Sequence, residues 1–141
     1  MTAKDDDAPA LAVGDEIGPV RIGTVAHGGH WVARHEGRVI FVRHALEGEV
    51  VRVRITGLAK RFARGDAIEV LEASPHRVAP PCPIAGVCGG CDFQHVEVAH
   101  QRELKRQVVA EQLERLAGWE FTGEVEAADP PGLGWRTRVR Y

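Results

Sequence analysis

The chain has 141 residues, of which 44% are hydrophobic and 27% are charged, and its formal net charge is −2. This length and composition predict an ordinary soluble globular protein with one modest core, or a small domain with an appendage. Because the net charge is near zero, it gives no evidence for nucleic-acid binding, and such evidence can come only from local clusters of basic residues. The sequence has neither an apolar run of transmembrane length nor a signal peptide. We therefore expect a cytoplasmic protein, with no membrane partner, that begins with a disordered leader over residues 1–10.

Residues 11–75 form a series of short apolar stretches separated by turn residues. Valine and isoleucine at positions 51, 53 and 55 alternate with arginine and threonine at 52, 54 and 56, which is the period of a strand with one wet face. About five such strands in this length favour a small closed barrel of the OB type over a two-sheet sandwich. The stretches that predict strands are VRIGTVA, HWVARHEGRVIFV, EVVRVRIT and DAIEVLEA.

Residues 76–97 form an irregular loop rich in proline and glycine, after which the pattern changes. From Val98 to Ala117 the apolar residues recur at helical spacing, and Gly118 stands where a helix C-cap belongs. The stretches FTGEVEAA and WRTRVRY then predict two strands. Because the second has just begun where the chain stops, we expect residues 98–141 to be the helix and opening strands of a truncated central domain. The predicted fold class is mainly β with one helix. The apolar helix positions are Leu104, Val108, Val109, Leu113 and Leu116.

All three cysteines, Cys82, Cys88 and Cys91, lie in the loop with the spacing C-x5-C-x2-C. Two plain interpretations are thiols buried as small hydrophobic groups and a redox-active pair. The latter fits poorly, because that chemistry uses a pair at a helix N-terminus and here a proline-rich loop precedes it. The loop glycines favour a metal site, since they let the backbone fold closely round an inorganic group. Zinc with His95 as fourth ligand competes with an iron–sulfur cluster that lacks its fourth thiolate, and spacing alone favours zinc.

The same residues resemble a known family. The segment RVAPPCPIAGVCGGCDFQHVEVAHQRELKRQVVAEQLERLAG resembles the corresponding part of the bacterial uracil-C5 RNA methyltransferases that act on ribosomal RNA. It carries C-x5-C-G-G-C, then Gln94-His95, then a Q-x-x-x-K pattern from Gln101 to Lys105. The segment GGHWVARHEGRVIFVRHALEGEVVRVRI resembles the signature of their TRAM domain, an OB-like RNA-binding barrel. GWRTRVRY is similar to the strand that opens their central domain.

The resemblance implies a [4Fe–4S] cluster on Cys82, Cys88 and Cys91, with the fourth cysteine beyond the strand at which this chain stops. His95 then becomes a residue at the start of the helix. The alternative is a stand-alone RNA-binding module, stabilised by zinc on the three cysteines and His95 and without enzymatic activity. The resemblance also implies that the full-length protein uses S-adenosylmethionine in a C-terminal domain. This chain has no strand, glycine-rich turn and helix to hold that cofactor, so we expect no catalytic residue here and no activity from the chain alone.

The barrel region carries a local excess of positive charge. Between His30 and Arg64 there are eight Lys/Arg and three Asp/Glu residues, and Phe62 lies among cations in LAKRFARG, which makes it a stacking candidate in a basic loop. The plain alternative is a solvated strand face, and it suits Arg52 and Arg54 best. The TRAM resemblance favours RNA binding, and the resemblance of the cysteine loop implies ribosomal RNA as the partner. We expect a monomer. The predicted RNA contacts are Arg34, Arg38, Arg43, Lys60, Arg61, Phe62 and Arg64.

Overall fold

The computed structural model describes residues 10–128 and 132–140. The predicted leader, apart from Ala10, lies outside these residues, as do residues 129–131 and 141 of the predicted C-terminal loop and strand. The described part contains five strands and one helix. They are β1 (Glu16–Ala26), β2 (His30–His35), β3 (Arg38–Arg43), β4 (Val50–Leu58), β5 (Phe62–Glu72) and α1 (Val98–Ala117).

The five strands close into a barrel in the order β1-β2-β3-β5-β4. Four of the pairings are antiparallel and the β3–β5 pairing is parallel. The predicted small closed barrel of the OB type is confirmed. One boundary differs: Leu58 pairs with Ala63 and Gly57 with Arg64, so the β4–β5 ladder continues into the predicted basic loop. Phe62 and Arg64 are therefore strand residues, and only residues 59–61 connect the strands.

The barrel interior is filled by the inward-facing residues of all five strands, as the period of two predicts. Val51, Val53 and Ile55 are buried whereas the residues between them are exposed. Trp31 is fully buried at the centre of this core and does not face solvent. Gly65 lets β5 approach β4 closely, because a Cβ at this position would lie 2.4 Å from Cγ1 of Val53. The core thus depends on close backbone packing as well as on apolar area.

Helix α1 spans Val98–Ala117, as predicted, and Gly118 ends it in the left-handed conformation with φ 64°, donating its N–H to the Glu114 carbonyl. The predicted apolar face is only partly covered. Leu104 is fully buried and Val108 packs against the core, but Leu116 is 77% exposed. The helix therefore meets the barrel near its first half. It is not long and apolar enough to cross a membrane, and it is the one helix in residues 10–128 and 132–140.

In the described residues, the two stretches predicted as strands after the helix are not strands. Residues 119–128 and 132–140 have no strand assignment and most of their side chains are exposed, including Trp135 and Val139. An isolated strand leaves its backbone N–H and C=O groups without partners, so it forms only against another strand. Within the described part of the chain these segments have no partner strand. The alternating sequence pattern alone therefore did not predict their structure correctly.

Candidate functional site

The cysteine loop is closed at its base by a short antiparallel pairing. Val78 donates its N–H to the His95 carbonyl at 2.9 Å, Glu97 donates to the His76 carbonyl at 2.9 Å, and Arg77 pairs with Val96. The imidazole rings of His76 and His100 also stack, with centroids 3.9 Å apart, and this contact helps to hold the base of the loop together. The two ends of the loop are therefore paired with each other, and the second end leads directly into α1.

A buried ion pair fastens the loop base to the barrel. The Arg77 guanidinium donates to both carboxylate oxygens of Glu49, at 2.7 and 2.8 Å, and to the His44 carbonyl at 2.8 Å. Glu49 is fully buried and also accepts the backbone N–H groups of Leu46 and Ser74. Burial by itself raises the pKa of Glu49, but the hydrogen bonds from Arg77 and Ser74 and the Arg77 charge outweigh it, so the pKa lies below its ordinary value.

His95 belongs to the barrel core rather than to the cysteine loop surface. Its ring is buried, its Nε2 lies 2.8 Å from the Ala45 carbonyl oxygen, and it meets Trp31 edge-on with centroids 5.4 Å apart. Phe93 packs on the same indole at 5.4 Å. Burial lowers the pKa of His95, and the nearby charges of Arg77 and His44 lower it further, while the hydrogen bond to Ala45 and the charge of Glu49 act in the opposite direction. The neutral imidazole is thus the favoured form in the folded protein.

The three cysteines occupy the outer part of the loop as free thiols. Cys82 is half-buried and both Cys88 and Cys91 are exposed. Gln94 accepts the Cys82 N–H at 3.2 Å, and the Gly90 N–H points to the Cys88 sulfur at 3.4 Å. Among residues 10–128 and 132–140, no three or more His, Cys, Asp or Glu side chains are gathered in a metal-binding arrangement. The loop thus supplies three donor atoms of one chemical kind within ten residues of sequence, but it does not assemble them into a coordination shell.

One outer face of the barrel combines aromatic and basic side chains. Strand register places Phe41 beside Arg64, and Val39 lies between Arg34 and Phe62. The rings of Phe41 and Phe62 meet at 78° with centroids 5.4 Å apart, and the Arg64 guanidinium lies 5.7 Å from the Phe62 centroid. Lys60 and Arg61, whose side chains are exposed, lie immediately before β5. We call this surface the aromatic–basic face; it comprises Arg34, Phe41, Lys60, Arg61, Phe62 and Arg64.

The arginines of the barrel divide into two groups by their partners. Arg52 lies near the carboxylates of Glu16 and Glu69, and Arg54 contacts Glu16 at 2.7 Å, which supports the plain interpretation of that face. Within residues 10–128 and 132–140, the predicted contacts other than Arg43 and Phe62 have no carboxylate oxygen within 4.0 Å. These cations are Arg34, Arg38, Lys60, Arg61 and Arg64.

Arg43 differs from the other predicted RNA contacts. It donates to both oxygens of Asp66, at 2.8 and 3.0 Å, so its charge is balanced within the barrel. The Asp66 hydrogen bond raises the pKa of Arg43, against a smaller opposing effect of burial. Arg43 therefore links β3 to β5. Because its charge is already paired with that of Asp66, it is poorly suited to bind a phosphate.

Phe41 was missed in the sequence, although a signal for it exists. It lies between the fully buried Ile40 and Val42, so the period of two places an aromatic ring on the wet side of β3. An aromatic residue on a solvent-facing strand position is the pattern that would have found Phe41.

The Glu49–Arg77 pair was missed in the sequence as well, because no local pattern joins residues of two different segments.

The cysteine loop lies against the β1–β2 turn of the barrel. A Cβ built on Gly29, in the β1–β2 turn, would lie 3.1 Å from Cβ of Asp92, the residue after Cys91. His30 follows Gly29, and its pKa is lowered by burial and by the charge of Arg64, while Asp92 raises it. The charge of Asp92 in the cysteine loop and that of Arg64 on the aromatic–basic face thus both act on His30.

Comparison with known proteins finds one family profile that matches the barrel and several relatives that match most of the chain. A protein-family profile described as the TRAM domain matches residues 13–68. An "Uncharacterized RNA methyltransferase" of Streptomyces avermitilis is 51% identical over 138 residues, covering 86% of this chain and 32% of that protein. A "23S rRNA (uracil(1939)-C(5))-methyltransferase RlmD" of Shewanella amazonensis is 38% identical, covering 86% of this chain and 27% of that protein. The chain spans about a third of the length of the curated relatives it matches.

Proposed function

We propose that this chain, whose residues 13–68 match the TRAM-domain profile and which is similar to RNA methyltransferases, is the RNA-binding and iron–sulfur portion of an rRNA (uracil-C5)-methyltransferase that uses S-adenosylmethionine. The observation that carries the proposal is the aromatic–basic face, whose cations lack carboxylate partners in the described part of the barrel. In this proposal the chemistry of methyl transfer lies in a part of the longer protein that corresponds to the length of the relatives beyond this chain. The three free thiols suit the reducing cytoplasm.

Electrostatics make RNA the best partner for the aromatic–basic face. Exposed cations without acidic partners release counterions when they neutralise phosphates, whereas Arg52 and Arg54 would first have to leave Glu16. Aromatic rings among such cations are the combination with which single-strand-binding barrels hold bases as well as backbone. The two kinds of side chain thus serve one ligand that carries both negative charge and flat apolar groups.

Replacing Lys60, Arg61 and Arg64 together by alanine should weaken binding of ribosomal RNA fragments and flatten its salt dependence. Each lost phosphate contact lowers the slope of log K against log salt by about 0.7 for single strands, so the slope should fall by about 2. The measurement is a fluorescence titration at several salt concentrations. The matched control is Arg21→Ala/Arg52→Ala/Arg54→Ala, which removes three cations that already have glutamate partners. Equal losses in the two triple variants would contradict the assignment of this face.

The cysteine loop supports an iron–sulfur site through the kind and setting of its donors. Three thiols within ten residues supply three of the four thiolates that a [4Fe–4S] cluster uses, and an amide N–H already points to one sulfur. Cys82, Cys88 and Cys91 are the residues that would hold it. The cluster, when bound, would cross-link the loop and keep it in one conformation. The fourth ligand remains a proposal about a longer protein.

The contacts of His95 favour the cluster over the Cys3His zinc site. The imidazole is buried against Trp31, and its Nε2 is engaged by the Ala45 carbonyl. Binding zinc through Nε2 would break that hydrogen bond and leave a buried carbonyl without a partner, which costs about 1–3 kcal/mol, whereas binding through Nδ1 would keep it. The burial of the ring, while Cys88 and Cys91 are exposed, is the observation that disfavours a shared zinc site. Zinc bound by the three cysteines and His95 is therefore the second candidate.

Metal analysis after anaerobic purification separates the two candidates. We expect iron and sulfide with the broad visible absorption of an iron–sulfur cluster, and we expect Cys88→Ser and Cys91→Ser to lose both. The matched control is Ser74→Ala, which removes a hydroxyl just before the loop, at a residue that is not a thiol. Stoichiometric zinc without visible absorption would overturn the cluster proposal for this chain and leave the proposal of RNA binding intact.

A further inference from the structure

The centre of the aromatic–basic face is a pair of half-buried rings on two neighbouring strands. Phe41 of β3 and Phe62 of β5 are brought together by the parallel register, which sets Phe41 beside Arg64 and Val39 beside Phe62. Their edge-to-face contact, with centroids 5.4 Å apart, holds both rings in a defined orientation. Rings fixed in this way lose little freedom when a flat ligand stacks on them, so they form a prepared surface.

The charges around the rings define what can dock there. Arg64 lies over Phe62 with its guanidinium 5.7 Å from the ring centroid, and the exposed Lys60 and Arg61 stand at the start of the same strand. Arg64 has no carboxylate within reach in residues 10–128 and 132–140, so it can turn to a phosphate without breaking an ion pair. Arg43, the next cation along β3, is held by Asp66. The free charge is thus concentrated at the Phe62 end of the face.

We propose that Phe41 and Phe62 form a stacking site for an unpaired base of single-stranded RNA, with Arg64, Lys60 and Arg61 holding the flanking phosphates. This proposal rests on the proposed function and names the form of RNA that the barrel takes. A base within a duplex has both faces covered by its neighbours and cannot lie on these rings. The convex outer surface of a small barrel can instead present its rings to a strand whose bases are splayed out.

The test compares the full 141-residue chain with Phe41→Leu and Phe62→Leu, which keep apolar volume but remove the flat ring. The probe is a fluorescein-labelled single strand of about 12 nucleotides, within the site size of one OB-type barrel, and the same strand annealed to its complement. We expect each leucine variant to weaken single-strand binding about tenfold with an unchanged salt slope. Arg64→Ala should instead lower the slope by about 0.7.

Two further variants make the readout specific to the rings. Phe62→Tyr retains a flat ring and should bind as the unchanged protein does, whereas Leu71→Ala removes an exposed apolar side chain at the far end of β5 and should have no effect. Thermal unfolding shows whether Phe41→Leu folds normally. If it does not, the comparison of Phe62→Leu with Phe62→Tyr still decides the matter.

The possible results lead to different conclusions. Tighter binding to the single strand, lost in the leucine variants at constant salt slope, supports the stacking site. Equal affinity for the duplex, or leucine variants that bind normally, overturns the stacking site and leaves RNA binding by this chain in place. No binding to either RNA overturns the proposed function too. Poly-glutamate that binds as tightly as the single-stranded RNA would show a face for acidic proteins and would also overturn the stacking site.

Discussion

Replacing Glu49 by alanine should lower the free energy of unfolding of this chain by about 3–5 kcal/mol. Glu49 is fully buried and accepts hydrogen bonds from Arg77 and from the backbone of Leu46 and Ser74. Its removal leaves the Arg77 guanidinium, whose side chain is 22% exposed, without its counter-charge. The base of the cysteine loop should then detach from the barrel. Urea unfolding followed by tryptophan fluorescence measures the loss, because Trp31 lies in the core.

Two variants show whether the buried pair is the cause. Glu16→Ala removes a carboxylate that pairs with two exposed arginines and should cost less than about 1 kcal/mol. Glu49→Leu/Arg77→Leu removes both charges, and should recover part of the loss because no uncompensated charge remains. An Arg77→Leu protein as stable as the unchanged chain would contradict the role of the pair.

Replacing His95 by alanine should destabilise the metal-free chain by about 2–4 kcal/mol, since it leaves a cavity beside Trp31 and a buried Ala45 carbonyl without a partner. The exposed His27→Ala is the control, expected within about 0.5 kcal/mol of the unchanged protein. Denaturant unfolding of chelator-treated protein measures both. A large loss only in metal-loaded protein would instead identify His95 as a metal ligand.

The same histidine makes stability depend on pH in a predictable direction. The pKa of His95 in the folded chain lies below the ordinary value of 6.5, chiefly because of burial. The unfolded chain therefore binds the proton more readily, so this contribution is fully present above about pH 6.5 and is lost as pH falls below it. The pKa values of His30 and His100 are lowered too, and they contribute in the same direction. His95→Gln should reduce the slope of stability against pH without removing it.

The local features of this protein followed from short patterns. Alternation predicted β4 and its buried residues, turn residues separated the strands, and helical spacing with Gly118 predicted both ends of α1. These features depend on residues within a few positions of each other, where the period of side chains decides which face is apolar. The TRAM resemblance is confirmed by the profile match to residues 13–68, and the metal site predicted from the cysteine spacing stays a prediction.

The sequence by itself thus determined the barrel, the helix, the cysteine loop and the basic character of one face. Only the tertiary structure decided which side chains act together. Phe41 and Phe62 meet because β3 and β5 pair in parallel, and Asp66 neutralises Arg43 through the same register. Glu49 and Arg77, 28 positions apart, become one buried pair, and His95, 50 positions from Ala45, becomes a core residue. The physical reason is that charge balance and burial depend on neighbours in space, which chain folding selects and local spacing does not record.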